Sequence, residues 1–145
     1  MAELQQVAAY ILNKANNDDA GDLISNLKLQ KLVYYANGFH LAIFDTPLFH
    51  EGIDAWQHGP VVPELYREFK AFGRDAIKTP HYFNPEQLTD DVKELLDEVY
   101  EVYGQFSAWK LRNMTHEETP WKEADEAGSF ISETSMKEYF RTQLQ

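Results

Sequence analysis

The chain has 145 residues, a length at which one domain buries roughly 68–70% of its unfolded surface. Its hydrophobic share of 43%, with 14% aromatic residues, excludes disorder throughout, and the lack of cysteine excludes a disulfide scaffold, a thiolate zinc site and a cysteine nucleophile. Lys and Arg number 13 against 24 Asp and Glu, a formal net charge of −11, which opposes nucleic-acid binding and suits a basic partner, although a local basic patch is compatible with it.

Leu4, Val7, Ala8, Ile11, Leu12 and Ala15 recur at helical spacing and predict an amphipathic helix. The turn-forming run from Asn16 to Gly21, including Ala20, ends it. A second helix, about residues 27–44, is apolar on most sides: Leu29, Leu32, Val33, Ala36, Phe39, Leu41, Ala42, Ile43 and Phe44 leave little polar surface, so it belongs at the centre of the fold. Ser25 or Asn26 is its N-cap, and Asp45-Thr46-Pro47 stops it. A short β-hairpin or extended segment is expected near residues 49–57.

Pro63 suits the first position of a further helix with Leu65, Tyr66 and Phe69 inward, ended by Gly73. A loop from Pro80 to Pro85 carries aromatic anchors. Thr89 starts a helix with acids in its first turn and a stripe of Val92, Leu95, Leu96, Val99, Tyr100 and Tyr103. Ser107 caps a shorter helix through Leu111, Thr119-Pro120 opens another, and Ser132 begins the last, with Met136, Tyr139 and Phe140 inward. The expected fold is a mainly α, compact single-domain helical bundle spanning residues 1–145. No apolar run reaches the ~18–20 residues of a membrane span, and Met1 to Gln6 lacks the features of a signal peptide, so a cytoplasmic location is expected.

Three segments stand out: Leu27-Lys28-Leu29-Gln30-Lys31-Leu32 with Tyr34-Tyr35-Ala36, then Ala55-Trp56-Gln57-His58-Gly59-Pro60-Val61, then Thr115-His116-Glu117-Glu118-Thr119-Pro120-Trp121. In this order and spacing the chain, from about Leu23 to Tyr139, resembles the SocA-like or Panacea antitoxin domain, which also occurs among phage-associated proteins. The resemblance implies an antitoxin encoded beside its toxin and neutralising it by direct protein contact. It also implies two alternatives: a proteolytic adaptor that delivers the toxin to a protease, or a phage-associated interaction protein with no antitoxin role.

The candidate partner-binding residues are Trp56, Gln57, His58, Tyr66, His116 and Trp121. Each of the two tryptophans fits either a core aromatic or a contact residue. Gly59-Pro60 is a turn element that presents Gln57 and His58. Thr115 and Glu118 have capping-box spacing. His116-Glu117 begins like a zinc-protease motif, but the position of the second ligand is Pro120. With no phosphate loop and no nucleophile elbow either, no enzyme activity, metal or cofactor is expected.

Overall fold

The computed structural model describes residues 1–19, 21 and 23–144. Helix α1 (Leu4–Asn16) buries all six residues of the expected stripe and ends where Asn17 caps it. Of the turn expected after it, Ala20 lies outside the described residues.

Helix α2 (Asn26–Phe44) begins at Ser25, whose side chain accepts a hydrogen bond from the Lys28 backbone N–H. It ends at Asp45, which adopts the left-handed conformation at φ 65°. As expected it is the centre of the fold, but its last turn emerges into solvent: Ile43 and Phe44 are exposed. The apolar run therefore overstates the buried length by one turn. After α2 the chain is tied back at once, because the Leu48 N–H donates to Asn37 Oδ1 at 2.9 Å and Leu48 and Phe49 enter the core.

The first strand of the hairpin lies inside the expected 49–57 and the second just beyond it. Strands β1 (Asp54–Trp56) and β2 (Gly59–Val61) pair antiparallel, with Asp54 opposite Val61, Ala55 opposite Pro60 and Trp56 opposite Gly59. Gln57 and His58 form the two-residue turn. The late start has a simple cause. Leu48, Phe49 and Ile53 are claimed by the core, while Gly59 takes the positive φ of 116° needed to start the return strand. Pro60 is tolerated because the sheet has only two strands and so only edges.

Helix α3 (Pro63–Phe69) has Pro63 at its first position and continues into a 3-10 turn at Lys70–Phe72, closed by Gly73 at φ 59°. The loop that follows is held by two side chains of α1: Asn16 donates to the Ile77 carbonyl at 3.2 Å and to Thr79 Oγ1 at 3.0 Å, and Gln6 donates to the Tyr82 carbonyl at 3.1 Å and accepts from the Asn84 N–H at 2.8 Å. A second 3-10 turn, Pro85–Gln87, ends the loop expected from Pro80 to Pro85, with Asn84 accepting from the Glu86 N–H and Pro85 at its start. Helix α4 (Asp90–Tyr103) is capped by Thr89 and buries Val92, Leu95, Leu96 and Val99.

Helix α5 (Ala108–His116), capped by Ser107, runs past the expected end at Leu111. Helix α6 (Thr119–Ala127) has Pro120 in its first turn and stops at left-handed Gly128. Helix α7 (Glu133–Arg141) is capped by Ser132. The described residues thus form seven α-helices and one small sheet, a mainly α fold in which α2 packs against α1, α3, α4, α5, α7 and β2. Between α6 and α7 the chain joins the hairpin, since the Ile131 N–H donates to the Ile53 carbonyl at 2.7 Å.

An aromatic cluster closes the centre. Tyr34, Tyr35 and Phe39 of α2 pack edge-on or tilted against Phe140 of α7, and Tyr35 stacks on Tyr103 with ring centres 4.0 Å apart. Gly38 makes this possible: a Cβ there would lie 2.2 Å from the Phe140 ring.

Candidate functional site

The first signature segment lies in α2, yet several of its polar residues are buried: Asn26, Lys28, Gln30 and Lys31 are each at most 3% exposed. A buried polar group needs a partner, and Asn26, Lys28 and Gln30 each find one in another part of the chain. Gln30 accepts from the Val62 N–H at 3.0 Å and donates to Asn26 Oδ1 at 2.8 Å, while Asn26 donates to the Tyr66 carbonyl at 3.1 Å. This relay fixes the end of the hairpin and the start of α3 to α2. Lys28 Nζ donates to the Gly104 carbonyl at 2.6 Å and secures the end of α4.

Lys31 lies beneath Gly59 of the second segment. A Cβ at position 59 would come within 3.0 Å of Lys31 Cε and 3.1 Å of Thr115 Oγ1, so glycine is required there by space as well as by φ. Thr115 belongs to the third segment, and all three segments therefore meet beneath the hairpin. The Lys31 ammonium donates to the Leu27 carbonyl at 3.3 Å. Burial, aided by the nearby Arg112 charge, pushes its pKa down to about 7.

The third segment is not a capping box. Thr115 sits inside α5 and donates to the Arg112 carbonyl at 2.9 Å. Glu118 precedes α6 without capping it. Its carboxylate instead accepts from Tyr34 Oη at 3.0 Å and Tyr35 Oη at 2.7 Å. Burial pushes Glu118 up to about 7, against the two tyrosine hydrogen bonds that hold it down. Burial likewise raises both tyrosines, together with the adjacent Glu118 charge. The carboxylate thus anchors the α5–α6 corner to the centre of the bundle.

The six candidate residues cluster around the hairpin in two groups. Trp56, Gln57, His58 and Tyr66 line a groove of about 490 Å³ whose apolar wall includes Leu27 and Val61. Trp56 is 38% exposed and meets Tyr66 edge-on at 5.1 Å, so it is a surface aromatic and not a core one. His116 and Trp121 do not line the groove. They stack on each other at 4.0 Å and brace β1 from behind: Trp121 Nε1 donates to the Trp56 carbonyl at 2.9 Å, and His116 hydrogen-bonds the Gln57 backbone. Burial, then the Arg112 charge, lowers the His116 pKa.

Several site residues gave no strong sequence signal. Lys70 and Arg74 line the groove because α3 and its 3-10 extension lie beside the hairpin. Arg112 donates from Nε to His58 Nδ1 at 3.3 Å and lies 4.4 Å over the exposed Trp109 ring, extending the aromatic surface toward α5. A weak signal did exist for Lys28 and Lys31: cations spaced one turn apart in an otherwise apolar helix need a buried or surface partner. Among the described residues no three His, Cys, Asp or Glu side chains gather as metal ligands, and Glu117 is exposed and pairs with Lys122. No described helix is long and apolar enough to cross a membrane.

Residues 29–122 match the family model described as antitoxin SocA-like, Panacea domain. The chain is similar to antitoxin SocA of Caulobacter vibrioides (strain NA1000 / CB15N), with 33% identity over 130 residues covering 82% of this chain and 68% of that protein. No solved structure matches.

Proposed function

Because the chain belongs to the SocA-like, Panacea-domain antitoxin family, we propose that it is the antitoxin of a cognate toxin and neutralises it by direct binding through the hairpin face. Trp56, Gln57, His58 and Tyr66 make the contact, while His116 and Trp121 hold the hairpin rigid. A single Panacea-like domain does this in the cytoplasm, without catalysis.

The observation that carries this reading is the placement of Trp56. A large aromatic is held at the surface on a hairpin braced from below by Gln30 and from behind by Trp121. Protein interfaces draw most of their affinity from a few such Trp, Tyr and Arg anchors. An anchor already held in place loses little conformational freedom on binding.

The test is co-expression with the toxin encoded beside the gene. The chain is expected to restore growth and to co-purify with the toxin, and Trp56→Ala is expected to weaken the complex by about 2 kcal/mol or more. Restored growth with no physical complex would sink the reading. A toxin half-life that shortens in a protease-dependent way would favour delivery to a protease over occlusion.

A further inference from the structure

On a chain of net charge −11, the groove beside the hairpin is an exception: none of its lining residues is Asp or Glu, and Lys70 and Arg74 both line it. Behind it the same sign recurs. Arg112 reaches His58 at the rim, and Lys31 is buried under Gly59. None of Lys31, Lys70, Arg74 and Arg112 forms an ion pair with a described residue. Elsewhere Lys14, Lys122, Lys137 and Arg141 pair with carboxylates, while Arg67, Lys78, Lys93 and Lys110 also form no ion pair with a described residue, so what sets the groove apart is a lining that holds cations and no acid. With nearly twice as many acids as bases on the chain, a groove lined by two exposed cations and no acid is positioned for a carboxylate supplied from outside.

We propose that this groove binds an acidic peptide segment of the partner protein, in which a carboxylate side chain lies next to an aliphatic or aromatic one. Lys70 and Arg74 take the carboxylate, and the Trp56–Tyr66 pair with Leu27 and Val61 takes the apolar neighbour. The volume of about 490 Å³ is that of a pocket for a small ligand or a few side chains. A nucleic-acid strand fits less well, because the acidic remainder of the surface would repel its successive phosphates. The partner is therefore met by two opposite fields: a cationic groove that docks one acidic segment and an acidic surround that disfavours others. This extends the antitoxin reading, on which it rests for the face of contact, and identifies the chemistry of the bound segment.

The test uses the isotope-labelled full chain observed by amide and indole NMR. It is titrated separately with acetyl-Leu-Glu-Phe-Glu-amide, acetyl-Leu-Lys-Phe-Lys-amide and a short oligouridylate. The acidic peptide is expected to move the Trp56 indole resonance and the Gln57 and Lys70 amides, and the lysine peptide to leave them in place. The double variant Lys70→Glu, Arg74→Glu alters exposed side chains only and should weaken the acidic peptide about tenfold or more. Equal response to both peptides, no response at the groove, or a larger response to oligouridylate would each overturn the proposal. Growth rescue is independent of this titration. Rescue with an unresponsive groove rejects the acidic segment alone, whereas a responsive groove without rescue rejects the antitoxin reading alone.

Discussion

Helix α4 turns Val92, Leu95, Leu96 and Val99 inward and most of its acids outward, whereas α2 buries Asn26, Lys28, Gln30, Lys31 and Asn37 together with its apolar residues. The first helix is stabilised by apolar area removed from water. The second adds directional bonds, each tying it to a different segment: the hairpin, the start of α3, the end of α4 and the loop at Leu48. Hydrophobic contact is tolerant of small shifts, but a hydrogen bond with one partner is not. Helix α4 therefore supplies stability, and α2 supplies position.

That division can be broken experimentally. The largest effect is expected for Leu96→Ala, which empties a fully buried site and should lower the unfolding free energy by about 2–5 kcal/mol in urea titrations. Partner affinity of the folded protein should not change. If it falls in step, α4 positions the site as well.

Next in size is a pH effect on the α2 side. Glu118 has its folded pKa raised from 4.5 to about 7, so its contribution is fully present below 4.5 and is lost as pH rises to about 7. Lys31 has its folded pKa lowered from 10.5 to about 7, so its contribution is fully present above 10.5 and is lost as pH falls to about 7. These two groups together give a minimum of stability near neutrality, the acidic limb worth at most about 3 kcal/mol and the alkaline limb at most about 5 kcal/mol. Urea midpoints measured across this range should lose the acidic limb in Glu118→Gln and the alkaline limb in Lys31→Met. Limbs that persist in the variants would place their origin elsewhere.

A third comparison separates position from stability. Gln30→Leu leaves the Val62 N–H without its acceptor and should cost about 1–3 kcal/mol. Unlike Leu96→Ala, it should accelerate amide exchange at Val62 and weaken partner binding. The smallest effect belongs to Thr89→Ala, which removes the cap accepting the Val92 N–H and should cost about 1 kcal/mol, read as a lowered urea midpoint with binding intact.

The parts built on α4's rule were legible in the sequence. Stripes and caps placed α1, α4 and α7 correctly because the signal and its cause lie within one helix. Elements built on α2's rule were less so. The capping-box spacing of Thr115 and Glu118 was real, but Glu118 found better partners in Tyr34 and Tyr35, more than eighty positions away. The hairpin starts only at Asp54, late in the expected 49–57, because Leu48, Phe49 and Ile53 satisfy the core without forming a strand. The candidate residues did converge on one place, but the division between lining and bracing, and the presence of Lys70 and Arg74, arise only when α3 and α5 pack beside the hairpin.

The close seat of Phe140 over Gly38 also has a consequence in time. The slot lies in α2, but the ring that fills it belongs to a helix that is synthesised about one hundred residues later. Until then Tyr34, Tyr35 and Phe39 lack the aromatic partner that α7 brings. The growing chain therefore carries an open hydrophobic site from the time α2 emerges until α7 does, the kind of surface that chaperones bind. The aromatic centre closes only when α7 docks, although α7 lies outside the stretch that the family model matches.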